Sequence, residues 1–136
     1  MRYILNKEYI MIKTIQEIIQ EAFDEIPNIT PAEAKKEQDN GALIIDTREI
    51  NELALTGKIK DSVHIPRGLI EFQNKETNPN GLEGFTKDRK IILYCAAGSR
   101  AALAGKALKD IGFANVYNLG GFSDWQSEGL PVENIT

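Results

Sequence analysis

The 136 residues, 42% hydrophobic and 26% charged, have room for one domain around one core and show no sign of disorder or of a collagen-like chain. A net charge of −4 argues against a general nucleic-acid binder, which needs a basic surface to meet phosphates. One cysteine and one histidine exclude an intramolecular disulfide and make a Cys/His zinc site implausible; no metal and no cofactor are expected.

The first stretch lacks a continuous apolar run and carries Lys7, Glu8, Lys13 and Glu17, so neither a secretory signal nor a membrane span is predicted. With a lone thiol, which suits a reducing compartment, a cytoplasmic location is expected. Met11, Ile15, Ile18, Ile19, Ala22, Phe23 and Ile26 recur at helical spacing and predict an amphipathic helix, with residues 1–28 as an N-terminal helical extension. Its apolar face is expected to pack on its own domain; the rival reading is a contact with a second copy or another partner.

Thr30-Pro31 with Glu33 is a helix start, and Gly41 a helix stop. Residues 42–46 form a short apolar run that predicts a buried strand. Asp46-Thr47-Arg48 leaves it toward a short helix over 49–55, ended by Gly57. A strand over 62–65 is stopped by Pro66, and a helix follows through Leu69 and Phe72. Residues 74–88, rich in Asn and Gly, predict a loop of the kind that rims sites.

Residues 90–94 are the clearest strand, running through Cys95-Ala96-Ala97-Gly98-Ser99-Arg100 into a helix over 101–111 capped by Gly112. A last strand over 116–119 precedes Gly120-Gly121, expected as a turn, and a short helix through Trp125. Strands alternating with helices predict an α/β fold with a mostly parallel sheet covered on both faces.

In such a sheet, sites form beyond the carboxyl ends of the strands. Cys95 stands at that point. Small residues follow it, so backbone N–H groups can close around whatever the sulfur carries, and the helix beginning there adds its positive end. Arg100 supplies a permanent charge and a planar fork of donors. Both effects favour thiolate over thiol. A free cysteine after an apolar strand is commonly core, but one followed by Gly, Ser and Arg at a strand-to-helix turn points to chemistry. The pattern suits a thiolate, a persulfide or a bound oxyanion, and by itself leaves the reaction open.

Four blocks in order, from about residue 29 to 133, resemble the rhodanese domain family. They are Ile44-Ile45-Asp46-Thr47-Arg48-Glu49 with Glu52, then Gly57-Lys58-Ile59 with Asp61-Ser62-Val63-His64-Ile65-Pro66. Tyr94-Cys95-Ala96-Ala97-Gly98-Ser99-Arg100-Ala101-Ala102 follows, and then Gly120-Gly121-Phe122-Ser123-Asp124-Trp125 with Gly129-Leu130-Pro131-Val132. The resemblance implies a three-layer rhodanese-like domain over 29–136. It implies that Cys95 takes sulfane sulfur from a small donor such as thiosulfate, as a persulfide, and passes it to a thiol or cyanide. Ala96, Ala97, Gly98, Ser99 and Arg100 would bind the substrate. A protein acceptor and a homodimer through the N-terminal helix are further expectations; nucleic acid and membrane are not expected partners.

Two departures from the family pattern are Lys58, where His is usual, and Asp61-Ser62-Val63 in place of the usual Gly-Ala. Asp46 and Arg48 are expected to tie the strand end to neighbouring loops, His64 to be packed, and Trp125 to anchor the core. Phosphatase or arsenate-reductase chemistry is the first rival, but only four residues separate Cys95 from Arg100, where phosphatases of this design have five. A docking module without turnover is the second. With Ala96 and Ala97 uncharged, weak thiosulfate binding is expected.

Overall fold

A computed structural model describes residues 2–5 and 8–135, with side chains from Met11 onward; Lys7 of the charge pattern above lies outside the described residues. The chain opens not as a helix but as two antiparallel strands, β1 (Arg2–Leu5) and β2 (Glu8–Met11), with Arg2 opposite Met11. Tyr3, Ile4, Tyr9 and Ile10 are aromatic or β-branched and favour strand over helix.

Helix α1 (Ile15–Glu25) starts at Thr14, whose hydroxyl accepts from the Glu17 N–H while Glu17 returns a carboxylate to the Thr14 N–H. Ala22 and Ile26 are buried, and Ile26 packs so closely on Gly105 that a Cβ there would lie 3.1 Å from its side chain. The helix therefore packs on its own domain, while Ile15 and Ile18 at its start stay exposed. Among the described residues no helix is long and apolar enough to cross a membrane.

Helix α2 (Pro31–Asp39) has the expected Thr30–Glu33 box and ends before Gly41, whose φ of 105° is left-handed. The central sheet contains β3 (Leu43–Asp46), β5 (Val63–His64), β6 (Ile91–Cys95) and β7 (Val116–Gly121), all parallel, in the order β5-β3-β6-β7. Between them run α3 (Ile50–Thr56), a 3-10 helix (Arg67–Gln73) and α4 (Ser99–Asp110), with α5 (Phe122–Ser127) after β7.

Alternation along the strands builds two cores. Leu43, Ile45, Ile91, Leu93 and Cys95 face Ile70 of the 3-10 helix and Ala101, Ala104 and Leu108 of α4. Ile44, Ile92 and Tyr94 face Ala34 of α2 and Phe122 and Trp125 of α5. Both faces are covered, the three-layer arrangement expected for parallel strands.

A second pairing lies beyond the expected strands: β4 (Lys58–Ile59) lies antiparallel to β8 (Val132–Glu133). Both departures in the second block serve it. Lys58 pairs with Glu133 at 2.9 Å and donates to the Ser62 carbonyl; Asp61, at φ 64°, donates its N–H to the same Glu133 carboxylate. Asp is among the few residues other than Gly that take this left-handed conformation.

The later half of residues 74–88 lies away from the carboxyl end of the sheet: Phe85 packs on Phe113, Lys87 lies against Gly112 at the far end of α4, and the adjacent Arg89 donates to the Gly41 carbonyl before β3.

Candidate functional site

Strand β6 is buried on both faces and delivers Cys95, a residue only 1% exposed, to the carboxyl end of the sheet. The next three residues turn the chain into α4. Gly98, at the helix N-cap with φ 104°, needs the freedom only glycine has there, and its N–H donates to Cys95 Sγ at 2.9 Å. Ala96 and Ala97 are exposed and Ser99 half-buried, so backbone rather than side chain covers the sulfur.

Two residues of β7 hold the loop from behind. Asn118, buried in mid-strand, donates to the Gly98 carbonyl at 3.1 Å and accepts from the Gly120 N–H at 2.8 Å. Gly121 lies beneath Ala96, where a Cβ would come within 2.4 Å of the Ala96 carbonyl oxygen. Gly120-Gly121 thus belongs to a strand, not a turn. Leu119 is the extra residue where Leu93 pairs with Asn118 and Tyr94 with Gly120.

Arg100 comes to the site but not with a free fork. Its two terminal nitrogens donate to Glu52 at 2.7 and 2.9 Å, a bidentate pair about one-third exposed. The hydrogen bonds to Glu52 raise the Arg100 pKa, and the nearby Cys95 sulfur adds to the rise. The same bonds hold Glu52 down to about 2, assisted by the Glu49 N–H that it caps in α3 at 2.9 Å.

Asp46 and Arg48 form a second, fully buried pair, 2.7 Å between Arg48 Nη2 and Asp46 Oδ2. Arg48 also donates to Thr56 Oγ1 and the Gly57 carbonyl, each at 2.9 Å, and its guanidinium lies over Phe122 at 4.7 Å. Burial pulls the Arg48 pKa down, and the bonds and charge of Asp46 more than offset it. His64 donates from Nε2 to the Arg48 carbonyl at 2.6 Å, a packing role. Tyr94 receives the Ile59 N–H at 3.0 Å; burial, then the Asp46 charge, raises its pKa.

The structure therefore places Cys95, the 96–98 loop, Ser99 and Arg100 at the carboxyl end of the sheet, and adds Glu52 and Asn118. Glu52 was visible only as one residue of a block, with no partner implied. Asn118 carried a usable signal, since a polar side chain inside an apolar strand needs a partner.

Residues 30–128 match the Rhodanese-like domain. A sulfurtransferase of Allochromatium vinosum is 34% identical over 91 residues, covering 66% of this chain and 77% of that protein. Several longer curated relatives match over only 25% to 51% of their own length. Among solved structures, a Rhodopseudomonas palustris protein of unknown function, described as a possible tyrosine phosphatase, superposes with a TM-score of 0.80 at 33% identity, covering 91% of this chain and 97% of that one. The polysulfide-sulfur transferase homodimer of Wolinella succinogenes gives a TM-score of 0.71 at 30% identity, covering 88% and 86%.

Proposed function

The chain belongs to the rhodanese-like domain family, and on that premise we propose that it is a sulfurtransferase carrying sulfane sulfur as a persulfide on Cys95. The observation that carries the reading is the hydrogen bond from Gly98 N–H to Cys95 Sγ, inside a loop of small residues at the start of α4. On this reading the backbone of the loop receives the added sulfur atom, with the Gly98 N–H and the positive end of α4 directed at it.

In the first half-reaction the Cys95 thiolate attacks the outer sulfur of the donor, an S–S bond forms, and the donor leaves with the electrons of the broken bond. In the second, a thiol or cyanide attacks the outer sulfur of the persulfide and Cys95 is released as thiolate. No general base is required, because each leaving group departs as a stabilised anion.

Two features support sulfur transfer over phosphate-ester hydrolysis. Only four residues separate Cys95 from Arg100, and both Arg100 terminal nitrogens are bound to Glu52. The test is to incubate the protein with thiosulfate or with a polysulfide, remove the excess, and weigh it intact beside Cys95→Ser. One added sulfur on the wild type only, discharged by cyanide, is expected. No adduct from either donor, with turnover of p-nitrophenyl phosphate, would replace this reading by a phosphatase.

A further inference from the structure

The four segments that leave the carboxyl ends of the strands are residues 46–56, 64–74, 95–100 and 120–127, and none contains a lysine. Their three arginines meet five carboxylates. Each arginine is bound to one: Arg48 to Asp46 at 2.7 Å, Arg67 to Glu71 at 2.9 Å and Arg100 to Glu52 at 2.7 Å. Glu49 and Asp124 are the surplus. The end of the sheet that exposes the loop is therefore net acidic, and the one cation built into the loop is already matched.

We infer that Glu52, by holding Arg100 through both terminal nitrogens, is a positioning residue that sets donor specificity, turning the site toward sulfur carried on an organic thiol (R–S–SH) and away from thiosulfate. The inference rests on Cys95 as the persulfide carrier. Its physical basis is the charge each donor brings and leaves. Thiosulfate arrives as a dianion and, after the Cys95 thiolate takes its outer sulfur, departs as sulfite, again a dianion. An organic persulfide gives the same sulfur, forming the Cys95 S–S bond and breaking its own, and departs as a thiolate with one negative charge. The negative charge of the donor is opposed by Glu52, and the Arg100 fork that would otherwise meet it is bound to that carboxylate, so the dianion is the disfavoured donor. Glu52 stays ionised across the working pH range, because the bonds from Arg100 hold its carboxyl far below the usual range.

The experiment measures kcat/KM with thiosulfate and with the persulfide of 2-mercaptoethanol, whose only charge is on sulfur, cyanide as acceptor, for the wild type and Glu52→Gln. Gln retains the α3 capping role, so loss of charge is separated from loss of the cap. The thiosulfate-to-persulfide ratio should rise by about tenfold in the variant, through KM for thiosulfate, with stronger inhibition by inorganic sulfate. A parallel fall with both donors, or an unchanged ratio, overturns the inference. Should the variant not fold by circular dichroism, the wild type decides. Screening a like-charge repulsion must raise kcat/KM for thiosulfate relative to persulfide as salt increases, and a falling ratio overturns it. Wild type that takes no sulfur from either donor, read as intact mass, instead sinks the carrier reading on which this one stands.

Discussion

The molecule contains two bidentate arginine–carboxylate pairs near the same end of the sheet, and they do different jobs. Arg48–Asp46 joins residues two apart, is almost fully buried, and spends its remaining donors on Thr56 and Gly57. Arg100–Glu52 joins residues 48 apart, is partly exposed, and lies beside the Cys95 sulfur. Where water is excluded, an arginine with all three side-chain nitrogens bonded locks the β3 exit and α3 in place. Where water has access, the same chemistry contributes little to stability and instead regulates how much positive charge the loop can offer. Depth, not residue type, separates structure from selectivity here.

The comparison breaks most visibly at the buried pair. Asp46→Ala strands Arg48 in the core and should cost about 3–5 kcal/mol in urea unfolding. A loss under 1 kcal/mol would mean that water reaches Arg48. Arg48→Lys keeps the charge but removes the planar fork that spans Asp46, Thr56 and Gly57, and should cost about 2 kcal/mol by the same measurement.

The partly exposed pair is sharpened by acid. Glu52 has a folded pKa of about 2, below its ordinary value of 4.5, so its stabilisation is complete above pH 5 and is lost as pH falls toward 2. After solvent screening the step should be about 1 kcal/mol, seen as a falling urea midpoint. Glu52→Gln at neutral pH should cost no more than about 0.5–1 kcal/mol and should abolish that acid step. The smallest stability effect thus falls on the residue given the largest effect on donor choice.

Much of this was legible from the residues. The apolar runs at 42–46 and 90–94 become the central strands, because a run buried on both faces has no other stable arrangement between helices. Thr30-Pro31 and Glu33 start α2 where expected, since a cap is satisfied by neighbours within three residues. Where structure and sequence pattern differ, the reason is equally physical. The first ten residues carry strand formers beside the helical stripe that follows them, and the Asn- and Gly-rich stretch over 74–88 suggests a site rim by composition alone. The place of its later half depends on Phe85 and the adjacent Arg89 finding partners at the far end of the domain.

By itself, the sequence determined the fold class, the strand that carries Cys95, the glycine-bearing turn that follows and the helix that begins there, because each depends on interactions between near neighbours. Only the tertiary structure decided that Glu52 holds Arg100, that Asn118 secures Gly98 and that Glu133 closes the Lys58 edge. Those pairs are far apart in the chain, and their meeting is set by which strands lie side by side and in what register, a choice made by the packing of the whole sheet.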